Sequence, residues 1–184
     1  MSKSVLVPIS DGVEELEAVT IIDVLRRCGA DVTVAGVGSV SVIASRGVKL
    51  SADVSIHGCL AQSYDLIALP GGLPGAEHLR DCPELIEMLK SQDAAGRLYA
   101  AICASPAVVL EHHGLLEGKR ATCYPAMLDK LGDKGVDEPV VEDDNCITSQ
   151  GPGTAMVFAM ALAARLYGKE EADKAAKALL FDKR

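Results

Sequence analysis

The chain of 184 residues has no tryptophan, two phenylalanines and four tyrosines. A core without large rings must be built from Val, Leu, Ile and Ala, which suits a sheet covered by helices on both faces. No apolar run approaches the roughly 18 residues that would span a bilayer. Basic residues are outnumbered, 18 against 26 acidic ones, for a formal charge of -8. Phosphates need a basic face, so neither nucleic acid nor an anionic membrane is expected as a partner. The six cysteines include no Cys-x-x-Cys pair and stand far apart, which disfavours a structural zinc site. A GxxxxGK(S/T) phosphate loop is missing, and no basic cluster offers itself to ATP. The opening MSKSVLVPISDGVEE meets acidic residues too soon for a secretory signal. A soluble, cytoplasmic protein is expected, in which a cysteine is by default a small buried hydrophobe.

Hydrophobic residues make up 49% of the chain, enough for a globular core, and no linker, repeat or low-complexity tract divides it. One domain over 1–184 is expected. Five short apolar runs read as buried strands: Val5 to Ile9, Asp31 to Val37, Asp65 to Pro70, Leu98 to Ile102 and Cys146 to Ser149. Helical periodicity lies between or after them, at Val13 to Cys28, Pro83 to Ala95, Thr154 to Tyr167 and Glu170 to Leu180. The stretch Ser39 to Ile56 alternates with period two around Arg46-Gly47 and reads as a hairpin at the sheet edge. Strands alternating with helices predict an α/β fold with a mostly parallel, doubly wound sheet.

Ligands of such sheets bind beyond the carboxyl ends of the strands. The residues there are Ser10-Asp11-Gly12, Gly71-Gly72, Cys103-Ala104-Ser105 and Gln150-Gly151-Pro152-Gly153. In AAICASPAVV, a strand ends at Cys103 and a helix is expected to begin at once, with Ser105 as N-cap and Pro106 as first helical residue. A cysteine at a helix N-terminus is favoured as thiolate, the reactive form. The alternative is a packed cysteine at a strand end. Gly71-Gly72 can turn backbone N–H groups toward a ligand and, with Ala104, form an oxyanion hole; the plainer reading is a tight turn.

On a helical wheel, Val13, Leu16, Ile21, Val24 and Cys28 define the apolar arc of the first helix, and Glu17 falls inside it. Glu14 and Glu15 fall toward solvent. A carboxylate on a buried stripe is costly unless paired or protonated. Burial would raise its pKa and make it a proton carrier beside a thiol. His112-His113 suit a helix C-terminus, His57 and His78 have no evident partner, and Cys123 suits the core. Asp23 and Arg27, one turn apart, suit a surface pair, and Arg46 a hairpin or interface charge.

The segments SDGVEELEAVTIIDVLRRCGADVTVAG, LPGGLPGAEHL, AAICASPAVVLEHHGLLEGK and TSQGPGTAMVFAMAL, in this order, resemble the ThiJ/PfpI superfamily. The similarity is greatest to the branch of Parkinson-disease-associated protein deglycases. The resemblance implies a flavodoxin-like three-layer α/β sandwich related to class I glutamine amidotransferases, and a homodimer. It implies that Cys103 is the reactive cysteine, that Glu17 hydrogen-bonds it, and that Gly71, Gly72 and Ala104 supply oxyanion donors. Asp23, Arg27 and Arg46 would then stand at the dimer contact. Some members carry a histidine where Tyr124 stands in Thr122-Cys123-Tyr124-Pro125, so Tyr124 is at most a wall of the site. The peptidase branch's Cys-His-Asp triad is not matched, because His112-His113 do not directly follow Cys103.

The resemblance implies cofactor-free glyoxalase chemistry on small dicarbonyls such as methylglyoxal and glyoxal, or deglycation of glycated proteins by the same cysteine. The alternative is a redox sensor or chaperone-like stress protein whose Cys103 is oxidised to sulfinate.

Overall fold

A computed structural model of the chain describes residues 2–181. In chain order the strands are β1 (Ser4–Ile9), β2 (Asp31–Gly36), β3 (Ser41–Ile43), β4 (Lys49–Ser51), β5 (Val54–Ser55), β6 (Leu66–Leu69), β7 (Leu98–Ile102), β8 (Val140–Asp143) and β9 (Cys146–Ser149). The α-helices are α1 (Glu15–Arg27), α2 (Gly75–Arg80), α3 (Pro83–Ala94), α4 (Ala155–Tyr167) and α5 (Lys169–Ala178). The main sheet runs β5-β2-β1-β6-β7-β9-β8. All its neighbours pair parallel except β8 and β9. This is a flavodoxin-like α/β sandwich, as expected.

Side chains alternate between the two faces of the sheet, and both faces are covered. Val5, Val7 and Ile9 of β1 join Ala100 and Ile102 of β7 in a core under α1, α4 and α5. Leu6, Tyr99 and Ala101 point the other way, into a core with α2 and α3. Both faces of these strands are therefore apolar, and the runs read as continuous rather than alternating.

Three expectations need correction. The hairpin β3-β4 is a separate two-stranded sheet, and only Val54–Ser55 joins the main sheet's edge. It is held instead by the loop after β1: Gly12 donates to the Ile43 carbonyl at 2.8 Å, and the Ile43 N–H to Asp11 Oδ1 at 2.8 Å. Leu16 of α1 is 51% exposed, so the buried arc is Glu17, Ala18, Ile21, Val24 and Leu25. The segment after Cys103 is a π-type turn over Pro106–Glu111 rather than an α-helix. The strand β8 and the short helix α2 carry no strong periodicity in the sequence.

Candidate active site

The ends of β6, β7 and β9 and the start of α1 converge. Cys103 follows β7 directly and takes a left-handed backbone, φ 65°. That region is strained for a residue with a Cβ. Its backbone is held from both sides: its N–H donates to the Ser149 carbonyl at 3.0 Å, and its carbonyl accepts the Tyr124 N–H at 2.7 Å. A sharp strand-to-helix turn of this kind lifts a nucleophile clear of the sheet.

Ser105 does not cap the helical turn. It is helical itself, and its Oγ donates to the Pro70 carbonyl at 2.6 Å. The hydroxyl thus ties the turn after β7 to the turn after β6. That second turn requires glycine. A Cβ on Gly71 would lie 2.6 Å from Cys103 Cβ and 2.9 Å from the Ile102 carbonyl oxygen. Gly72 has φ +93°, and a Cβ there would lie 2.4 Å from the Gly12 carbonyl oxygen.

Glu17 is fully buried. Gly71 donates its N–H to Glu17 Oε2 at 2.8 Å. This donor is therefore occupied by the carboxyl and is not free for a substrate oxyanion. The carboxyl's Oε1 is buried without a hydrogen-bond partner among the described residues, and the Cys103 side chain lies on the same side of Gly71, close enough for the two charges to interact. The backbone N–H groups of Gly72 and Ala104 act on the sulfur in the opposite sense and favour its charged form.

Burial pushes Glu17 up to about 7, against the lowering effect of the Gly71 N–H. Burial, reinforced by the Glu17 charge, pushes the Cys103 thiol up to about 12, against the Gly72 and Ala104 donors. Desolvation and the Glu17 charge thus oppose the thiolate that the N–H groups of the turn favour. The two groups titrate as one unit. Both shifts run upward because burial penalises charge and the pair resists carrying two negative charges at once, so it holds on to one shared proton. When the proton sits on Glu17, its repulsion of the thiolate vanishes and the sulfur becomes nucleophilic.

Cys103 opens into a cavity of about 360 Å³ lined by Glu14, Ser45, Arg46, Gly72, Leu73, Cys103, Ala104, Tyr124, Met127 and Pro152. Tyr124 is one of its walls. Arg46, expected as a hairpin or interface charge, also lines this cavity, and its backbone N–H donates to Glu15 Oε1 at 2.9 Å. Glu14 was expected near solvent but is buried, with Oε2 accepting from Ser45 Oγ at 2.7 Å. Ser45 and Leu73, from turns, and Met127, from the 3-10 helical segment Pro125–Lys134, also line the cavity, and none is a residue type that marks chemistry.

Asp23 and Arg27 stand apart from the cavity as an exposed ion pair of 2.7 Å on α1. No histidine lines the cavity: His57 pairs with Glu84 at 3.1 Å, and His78 and His113 bond backbone carbonyls. Among the described residues, no group of three or more His, Cys, Asp or Glu side chains is placed to hold a metal ion.

Comparison with known proteins agrees with this geometry. Residues 3–165 match the model of the DJ-1/PfpI family. Protein DJ-1 homolog B of Arabidopsis thaliana is 53% identical over 178 residues, 96% of this chain, but the chain spans only 41% of that relative's length. Glutathione-independent glyoxalase DJR-1.2 of Caenorhabditis elegans is 38% identical, with 99% of this chain and 97% of the relative covered. The structure of oxidized Toxoplasma gondii DJ-1 superposes with a TM-score of 0.96 at 48% identity, over 98% of this chain and 99% of that one. The chain belongs to the DJ-1/PfpI family, in its DJ-1 branch.

Proposed function

We propose that the protein is a cofactor-independent glyoxalase that converts small 2-oxoaldehydes to hydroxy acids. The observation that carries this is the buried Glu17 carboxyl against the Cys103 thiol at the floor of an open cavity. The Cys103 thiolate attacks the aldehyde carbon of methylglyoxal, and the carbonyl oxygen takes the proton held by Glu17, giving a hemithioacetal and leaving Glu17 as carboxylate. Glu17 removes the proton from that carbon and returns one to the neighbouring carbon, through an enediol. The product is a thioester of lactate. Water cleaves it, releasing lactate and restoring the thiol. Methylglyoxal plus water gives lactate, so no external oxidant or reductant is consumed. The name of the nematode relative supports this reading. Deglycation of protein adducts would use the same attack.

The test is lactate formation from methylglyoxal without glutathione. Wild type is expected to turn over, and Cys103→Ala to lose at least about 100-fold, the scale of a missing nucleophile or proton carrier. Equal lactate from both proteins would sink the proposal.

A second reading, a redox sensor, is favoured by the N–H groups of Gly72 and Ala104 acting on the sulfur, which would equally hold a sulfinate. Mild peroxide should then add two oxygens at Cys103 before the other cysteines; uniform oxidation would count against it. The protein is further proposed to act in the cytoplasm as a homodimer, joined through α1 and the hairpin.

A further inference from the structure

The lining of the Cys103 cavity divides into two sets. Glu14, Ser45 and Arg46 are polar and tied together: Ser45 Oγ donates to Glu14, and the Arg46 N–H to Glu15. Leu73, Tyr124, Met127 and Pro152 are apolar and come from three other segments. Leu73 is 49% exposed and Tyr124 45% exposed, so two large apolar side chains stand open at the mouth of a nucleophile's cavity. Apolar surface of this kind, rimmed by polar groups, marks a binding face.

Tyr124 is fixed in place. Its N–H is spent on the Cys103 carbonyl at 2.7 Å, and its own carbonyl accepts the Met127 N–H at 2.7 Å. Gly151 lies beneath the ring: a Cβ added there would come within 3.5 Å of Tyr124 Cδ2. The backbone that carries the ring is thus positioned by the same hydrogen bond that holds the backbone of the nucleophile. Methylglyoxal has only a methyl group to offer such a wall. A cavity of about 360 Å³ lies in the range of about 300–1,000 Å³ that holds larger ligands.

We propose that Tyr124 and Leu73 select 2-oxoaldehydes bearing a flat apolar substituent, an aryl group being the class that fits, over those bearing hydrogen or methyl. The dicarbonyl end lies at Cys103 and Glu17, and the substituent lies on the apolar set. Tyr124 acts through its ring and not its hydroxyl. The proposal rests on Cys103 being the nucleophile of the preceding section, but its test does not need turnover.

Two α-bromoketones serve as probes, phenacyl bromide and bromoacetone. In each, the Cys103 sulfur forms a bond to the methylene carbon, bromide leaves, and the thiol proton passes to solvent. They differ only in phenyl against methyl. The rate of Cys103 modification is followed by peptide mass spectrometry, and each phenyl-to-methyl ratio is divided by that of N-acetylcysteine. Wild type and Tyr124→Phe should give a normalised ratio of about ten or more, the scale of aromatic contact plus added apolar burial. Tyr124→Ala and, separately, Leu73→Ala should lower it at least about threefold. A wild-type ratio near one, a ratio that survives both alanine substitutions, or a Cys103 inert to both probes overturns the proposal. Absence of lactate in the turnover assay overturns the glyoxalase reading alone and leaves this ratio to be judged separately.

Discussion

The site turns on one carboxyl. Glu17 was legible because a helical wheel put an acid inside the apolar arc, and a buried acid on such a stripe needs a reason. Its burial has a thermodynamic signature. Its pKa rises from 4.5 to about 7 on folding. A raised acid pKa favours the folded state fully at pH below the unfolded value. That contribution is lost as pH climbs from about 4.5 through about 7, and it amounts to about 3 kcal/mol at the scale of 1.4 kcal/mol per unit. Glu17→Gln should flatten this part of the stability profile. Denaturant unfolding of both proteins at several pH values checks it, and parallel profiles would show that Glu17 is not the group concerned. Other residue roles were hidden from the sequence. That Gly71 serves the carboxyl, that Ser105 ties two turns together and that Leu16 faces out depend on how segments distant in the chain meet.

At the scale of elements, two turns make the site: Gly71-Gly72 after β6 and Cys103 to Ser105 after β7. The sequence marked both, because strand ends are where parallel sheets bind ligands. The hairpin's place was not marked. Its alternating pattern predicts strands but not where they dock, and hydrogen bonds donated by Gly12 and accepted by Asp11 and Val13 place it on the loop after β1. The β6 turn gives the sharper test. Gly71→Ala puts a Cβ 2.6 Å from Cys103 Cβ and 3.0 Å from Glu17 Oε2, so it must drive thiol and carboxyl apart. Overpacking of this kind costs about 1–3 kcal/mol. The variant is expected to fold with a lowered melting temperature and to lose methylglyoxal turnover. Wild-type turnover in Gly71→Ala would mean that the contact between thiol and carboxyl is not required.

For the whole molecule, composition alone spoke clearly. Scarce aromatics and continuous apolar runs pointed to a sheet with both faces covered, which is what forms. No helix among the described residues is long and apolar enough to cross a membrane. The proposed homodimer would draw on α1, where Leu16 and Val19, one turn apart, are about half exposed. An apolar pair on a helix otherwise ready for solvent suits a self-complementary contact. Leu16→Glu with Val19→Glu should convert a dimer into a monomer by light scattering after gel filtration. A wild-type protein that elutes as a monomer at micromolar concentration would remove the homodimer proposal. Since the Arg46 wall of the cavity sits on the hairpin next to α1, turnover should fall with dissociation.

The most direct measurement is methylglyoxal turnover by Glu17→Gln, with the Cys103 adduct and the lactate followed in the same reaction. If Glu17 carries the proton from one carbon to the next, the variant should still add Cys103 to the aldehyde, while lactate falls by about 100-fold or more. Lactate formed at the wild-type rate by Glu17→Gln would contradict the central role given to this buried carboxyl.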